Sequence, residues 1–296
     1  MWCLAPLVLA QVITVEGGRP RECSETRAAS ANVWERAKSP ELRRYCEIMS
    51  LAAARLAAAS AGKDVLALLD EAERVVAGRT PTLVLRGRAL LRTRRTKEAF
   101  DVLEKAVAAD GQALSDPAAL LAYARAAARS GAEAKARGAY LSLMPRADLL
   151  PTEERSRTYF EAGLHSMRSG AQGLPTAVLA FREMRRDATE TWADLGKVAL
   201  ALALDRQGLR EESASVLGTP RASDVVRALA LVNVIESLEN GASADETEAL
   251  RAMVLERSDP AASRAAWKKF LEKQAANAPY RAHAESRIGT PVRRAP

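Results

Sequence analysis

Aromatic side chains make up only 4% of this 296-residue chain, and histidine occurs just twice. A core with so few rings has to close around alanine and leucine, which points to helices packed close together rather than to a globule built on large aromatics. Alternating runs of β-branched residues are also missing, so no segment reads as a convincing strand. Enzyme signatures are scarce too. There is no His-Glu-x-x-His, no paired-cysteine zinc spacing, no P-loop and no Gly-x-Ser-x-Gly. His165 and His283 lie far apart, and His165 falls within "EAGLHSM", where a helix packing position is expected. The neighbouring acids of "LLDEAER" and "PTEERS" read as helix surface and caps, because nothing selects two carboxylates across a cleft. The expectation is a non-catalytic protein that uses no metal and no small-molecule cofactor.

Long hydrophobic runs are lacking as well. The apolar stretch at 1–15, "MWCLAPLVLAQVITV", is too short to span a bilayer, so no transmembrane span is expected in the mature chain. It resembles the hydrophobic part of a secretory signal, with "VLA" ending at Ala10 as a small-residue cleavage site, although no Lys or Arg precedes it. No lipoprotein-type cysteine box accompanies it, so lipidation is not predicted. This reading places the protein in the periplasm or outside the cell, with the cytoplasm as the alternative. Cysteine is limited to Cys3, Cys23 and Cys46. Removal of the leader leaves two, and an even count in an oxidising compartment suggests a Cys23–Cys46 disulfide. A plain hairpin of Glu22–Ala37 against Pro40–Ser60, however, sets Cys46 opposite Ala29–Asn32. That is roughly 12 Å along the helix from Cys23, whereas bridged Cα atoms lie within about 7 Å. The bond therefore requires the first segment to be partly unwound near Cys23, and two separate buried thiols are the alternative.

Alanine, leucine and arginine are plentiful. Helix formers dominate, and the prior is all-α. Forty-four basic residues against 37 acidic ones give a net charge of +7. Most of these charges form a mixed, solvated surface, and the excess can attract acidic proteins, anionic lipid or nucleic acid. Pro and Gly punctuate the chain at short intervals, as in "GRTP" at 78–81, "DGQALSDP" at 110–117, "SGAE" at 130–133, "SGAQGLP" at 169–175, "RQGL" at 206–209 and "SDP" at 258–260. Thr80, Asp116 and Thr152 stand where N-caps are expected.

The pieces between these breaks repeat. Laying 81–111 over 117–148 sets Leu83 near Leu120, Gly87 on Ala124, Leu90 on Ala127, Ala99 on Ala136, Leu103 on Tyr140 and Ala106 on Leu143. One repeat earlier, Ala53, Leu56, Leu69 and Ala72 take the places of Gly87, Leu90, Leu103 and Ala106. A spacing of this size in helical pairs signals a solenoid. Small residues at Gly87 and Ala99 let two antiparallel helices approach, Leu90 and Leu103 fill the space beside them, and Ala106 leaves room for the next pair.

The pattern resembles the tetratricopeptide repeat, on Leu83, Gly87, Leu90, Ala99, Leu103 and Ala106 and again on Leu120, Ala124, Gly131, Ala136 and Tyr140. Later units match more loosely: Ala177 and Phe181 in "LAFREM", Gly208 and Leu217 around "RQGL", and a closing helix "AAWKKFLEKQAANAP" with Trp267, Phe270 and Pro279. The resemblance implies an all-α, right-handed α-solenoid over 16–290, followed by a tail at 291–296. It also implies an adaptor or scaffold that holds a protein or peptide on its concave face. Residues of the first helices not used for packing should line that face: Val84, Arg88, Leu91 and Arg92 in one unit, and Leu121, Arg125, Ala128 and Arg129 in the next. Arg88 aligns with Arg125 and Arg92 with Arg129, which predicts a basic groove for an acidic partner. The bland alternative is four solvated arginines, some paired with Glu98, Glu104 or Glu133. The rival function is a cytosolic helical-repeat protein that binds nucleic acid through its basic surface, notably the turn "RTRRTK" at 92–97. The shortage of aromatics for base stacking argues against it.

Overall fold

The computed structural model describes Cys23 and residues 40–58, 62–186, 188–218, 230, 244–274 and 278–289. The leader expected at 1–15 and the tail expected at 291–296 lie outside the described residues. All regular structure among the described residues is helical: thirteen α-helices and two 3-10 turns, with no strand. None of these helices is long and apolar enough to cross a membrane. The chain divides into two units, Met1–Ala119 and Leu120–Pro296.

The first unit holds α1 (Pro40–Ala57), α2 (Gly62–Val75), α3 (Thr80–Arg92), α4 (Thr96–Ala109) and the first turn of α5 (Pro117–Arg129). Each of α1 to α3 packs on the helix that follows it, and α1 also touches α3. The core is formed by Ile48, Met49, Ala52 and Leu56 of α1 with Val65, Leu69 and Ala72 of α2 and Leu85 and Ala89 of α3. The spacing of three and four residues puts each set on one helical face. Between α3 and α4, Gly87, Leu90, Ala99, Leu103 and Ala106 are all buried, and Leu83 is partly so. The small residue at Gly87 is opposed by Leu103, since a Cβ at Gly87 would run into the Leu103 side chain. Cys23 and Cys46 are joined in a disulfide with their Cα atoms 5.4 Å apart, which decides between the two readings of those cysteines.

The helix starts differ in detail from the cap assignments. Thr80 and Thr152 lie inside their helices, after Arg79 and Pro151, and neither helix start has a side-chain cap bond. Asp116 does cap α5, its Oδ2 accepting from the Ala119 N–H at 2.9 Å. Proline in the first turn supplies the fixed φ at Pro81 and needs no N–H partner there.

The second unit continues α5 and adds α6 (Glu133–Leu143), a 3-10 turn (Met144–Leu149), α7 (Thr152–Met167), a second 3-10 turn (Gly170–Gly173) and α8 (Leu174–Met184). Then come α9 (Glu190–Arg206), α10 (Arg210–Leu217), α11 (Ala244–Ser258), α12 (Pro260–Lys273) and α13 (Arg281–Ile288). Leu120, Ala124, Ala136 and Tyr140 are buried. The α7–α8 pair repeats the small-against-large contact of the first unit, because a Cβ at Gly163 would strike the Phe181 ring. The sequence pattern does not mark Gly163, whose counterpart Phe181 is displaced by the intervening 3-10 turn. A single apolar cluster runs from Phe160 and Leu164 through Trp192, Leu195 and Leu202 to Met253, Trp267 and Phe270. The helix at Trp267 and Phe270 is not the last one: α13 follows and packs on α12, burying Ala284, with Tyr280 just before it.

Candidate functional site

On α3, Val84, Arg88, Leu91 and Arg92 fall within two turns of one face. Val84 departs from the expectation: it is buried with Ala106 and Ala119 and belongs to the core, because the chain after α4 folds back over it through Ala113 and Leu114. Leu91 is partly buried, Arg92 is exposed and Arg88 is partly buried. Among the described residues the Arg88 guanidinium makes no ion pair. Burial lowers its pKa below the usual arginine value, Asp116 opposes that shift and Arg92 adds to it. Asp116, the acid that faces it, is engaged in capping α5.

On α5 the equivalent positions behave otherwise. Leu121 is buried rather than turned to a partner. Arg125 is not free either, because its Nε donates to Glu161 Oε2 at 2.9 Å and its Nη2 lies 2.8 Å from Glu154 Oε2. Burial alone would lower the Arg125 pKa, but the two carboxylates hold it above the ordinary value. Glu161 itself is fully buried. It also accepts from Arg157 Nε at 2.9 Å and from the Tyr140 hydroxyl at 3.0 Å. Burial would raise its pKa, and Arg125 and Arg157 outweigh that and keep it ionised. Arg129, one turn on from Arg125, is partly buried, and its Nε is a buried donor with no acceptor.

Two of the acids named as alternative partners, Glu98 and Glu133, go elsewhere. Glu98 takes Arg95, with Nε donating to Oε1 at 2.7 Å. Glu133 takes His165 at 2.6 Å and Arg168 at 3.1 Å. Arg168 then forks onto both oxygens of the buried Glu246, at 2.9 and 2.7 Å, and Glu246 also accepts from the Tyr280 hydroxyl at 2.9 Å. The His165 ring stacks on Tyr140 with centroids 5.0 Å apart. His283 lies 3.0 Å from buried Asp205, which Arg287 also holds, and its ring meets Trp267 edge-on. Each histidine therefore sits in a helix-joining polar cluster. No group of three or more metal-binding side chains occurs among the described residues.

Sequence reasoning missed Arg157 and Glu161. The available signal was spacing: Glu161 follows Arg125 by 36 residues, close to the spacing of the sequence pattern, and α7 supplies the acid that neutralises the arginine. The same step from Arg88 reaches Ala124, which has no carboxylate. In comparisons with protein-family models, curated proteins and solved structures, nothing matches this chain.

Proposed function

We propose that the chain is a non-catalytic scaffold of the tetratricopeptide kind, its helix pairs stacked as a right-handed α-solenoid, and that it holds an acidic protein or peptide partner. The repeat register supports the stacking, because a pair with a small-against-large seam buries its outer face only against a neighbour. The observation that carries the partner reading is Arg88, a partly buried guanidinium without a contacting carboxylate, one turn from exposed Arg92. An unneutralised buried cation is costly. A partner carboxylate relieves that cost and suits the planar fork. The Cys23–Cys46 bond supports an exported location, since structural disulfides persist in oxidising compartments.

The net charge of +7 favours a second reading, nucleic-acid binding in the cytoplasm. Against it, Arg95 in the basic turn is already paired with Glu98, and that turn carries no ring on which a base could stack. Affinity capture from an extract, with the bound material identified by mass spectrometry, separates the two. The scaffold reading expects an acidic protein that is lost at high salt and lost with Arg88→Glu combined with Arg92→Glu, at unchanged melting temperature. Capture that survives both substitutions removes it, and salt-sensitive recovery of single-stranded nucleic acid would put the second reading in its place.

A further inference from the structure

In the α5–α7 seam of the second unit, Arg125 Nη2, Glu154 Oε2, Arg129 Nε and Thr158 Oγ1 are buried atoms without a hydrogen bond. The first two face each other as an ion pair at 2.8 Å, which leaves as orphans Arg129 Nε and, on a fully buried residue, Thr158 Oγ1. Thr158 lies four residues after Glu154 and three before Glu161, on the α7 face whose acids meet Arg125. Arg129 lies one turn after Arg125 on α5. Both orphans therefore belong to the layer organised around Glu161. Both can donate, and a guanidinium can only donate. Buried polar groups left without partners are rare in native proteins, and an unseen polar guest is one of their recognised causes.

The carboxylates already present do not serve Arg129. Glu161 uses one oxygen for Arg157 and the other for Arg125 and Tyr140. Glu154 is turned to Arg125. Three guanidiniums, Arg125, Arg129 and Arg157, thus face two carboxylates, Glu154 and Glu161, and one positive charge is left over. Burial, with Arg125 and Arg157 close by, lowers the Arg129 pKa, the response of a cation short of negative neighbours. The layer is not sealed, because the side chains of Arg157 and Glu154 remain 24% and 40% exposed.

We infer that Arg129, Arg157 and the Thr158 hydroxyl form a binding site for a single carboxylate, donated by a small organic acid or by an acidic residue of a polypeptide. The charge count selects a monoanion: a phosphate dianion would leave net negative charge beside the buried Glu161. A carboxylate also has two oxygens to share between the Arg129 fork and a second donor. The site is independent of the partner reading at Arg88 and Arg92, and charge reversal there leaves it intact.

The test is an arginine Nε–H NMR titration of the full chain, with acetate added against chloride at matched ionic strength. The Arg129 signal should move saturably with acetate alone, while the Nε–H signals of Arg125 and Arg157, both already held by Glu161, stay still. Arg129→Gln should abolish the response. Thr158→Val should keep the melting temperature or raise it, because an unbonded buried hydroxyl is replaced by a methyl group. The same substitution should weaken acetate several-fold, so the site stays testable even if Arg129→Gln unfolds the chain. A blocked glutamyl tripeptide that competes with acetate assigns the carboxylate to a polypeptide, and one that is excluded assigns it to a free acid. Equal shifts with acetate and chloride, an acetate affinity unchanged in Thr158→Val, or tighter binding of phosphate than of acetate would overturn the inference.

Discussion

The two units close similar helix pairs with different chemistry inside. In the first, the buried Thr82 makes neutral contacts: the Tyr45 and Thr82 hydroxyls meet at 3.0 Å, and Thr82 also approaches the Met49 sulfur. Ion pairs such as Arg44 with Glu71, Arg86 with Asp70 and Arg95 with Glu98 lie toward the surface, where such pairs contribute little. A disulfide adds a covalent tie, worth about 2–4 kcal/mol for a loop of this kind. The second unit instead buries the carboxylates of Glu161, Glu246 and Asp205, each met by at least one arginine. Those carboxylates tie together helices far apart in sequence. Arg168 and Glu246 join α7 to α11, while Arg287 with Asp205 joins α13 to α9. A buried ion pair is weak evidence for net stability, but removing one partner strands a charge. The contrast therefore lies in fragility: the second unit should fail at single polar substitutions that the first would tolerate.

The sharpest way to break this comparison is a matched pair of substitutions. Glu161→Gln leaves Arg125 and Arg157 facing a neutral amide and should destabilise the second unit by about 3–5 kcal/mol. Tyr45→Phe removes one neutral hydrogen bond from the first unit and should destabilise it by about 1 kcal/mol. Urea unfolding followed by hydrogen exchange assigns each loss to its unit. Similar losses for the two variants would mean that the buried charges are not what distinguishes the units.

Acid should separate them next. Burial drives the His283 pKa down to about 4, against the opposing pull of Asp205. The unfolded chain, with histidine near about 6.5, then binds the extra proton before the folded one does. Stability supplied by neutral His283 is complete above the unfolded value. It is lost as pH falls from about 6.5 to the folded value, at no more than about 1.4 kcal/mol per pH unit, and it changes no further below that. The urea midpoint of the wild type should therefore fall between pH 7 and pH 4.5 by more than that of His283→Gln. Equal falls would show that His283 takes up its proton without disturbing Asp205 and Arg287.

How much of this was legible in the sequence follows from the same contrast. The all-helical class, the places where helices stop and the seam of Gly87, Ala99, Leu103 and Ala106 are written in short-range spacing, and spacing is what a helix converts directly into a face. The first unit, held by apolar periodicity, was therefore the more readable. The buried acids were not, because Glu161 and Glu246 look like any surface glutamate on a helix until a distant arginine is placed against them. That also explains the misplaced wall residues. Val84 and Leu121 sit at positions that helical spacing alone leaves free, but the segment after α4 covers Val84, and Leu121 is buried as well. Arg125 aligns with Arg88 in sequence, yet of the two only Arg125 meets a carboxylate.

The smallest effect concerns the turns. Between α3 and α4, Arg94 adopts a left-handed conformation with φ +60°, and at the same place between α5 and α6 Gly131 does so with φ +75°. An L-residue held there costs roughly 1–2 kcal/mol, which glycine avoids. Glycine gives back about half of that through its freer unfolded state. Arg94→Gly should thus raise the urea midpoint of the first unit by the equivalent of about 1 kcal/mol or less, and Gly131→Arg should lower that of the second by a similar amount. The reciprocal exchange uses one turn geometry in both units, so the backbone contribution should carry opposite signs in the two. If Arg94→Gly instead lowers the midpoint, the arginine side chain supplies more than its backbone strain removes, and the basic turn then contributes to stability in its own right.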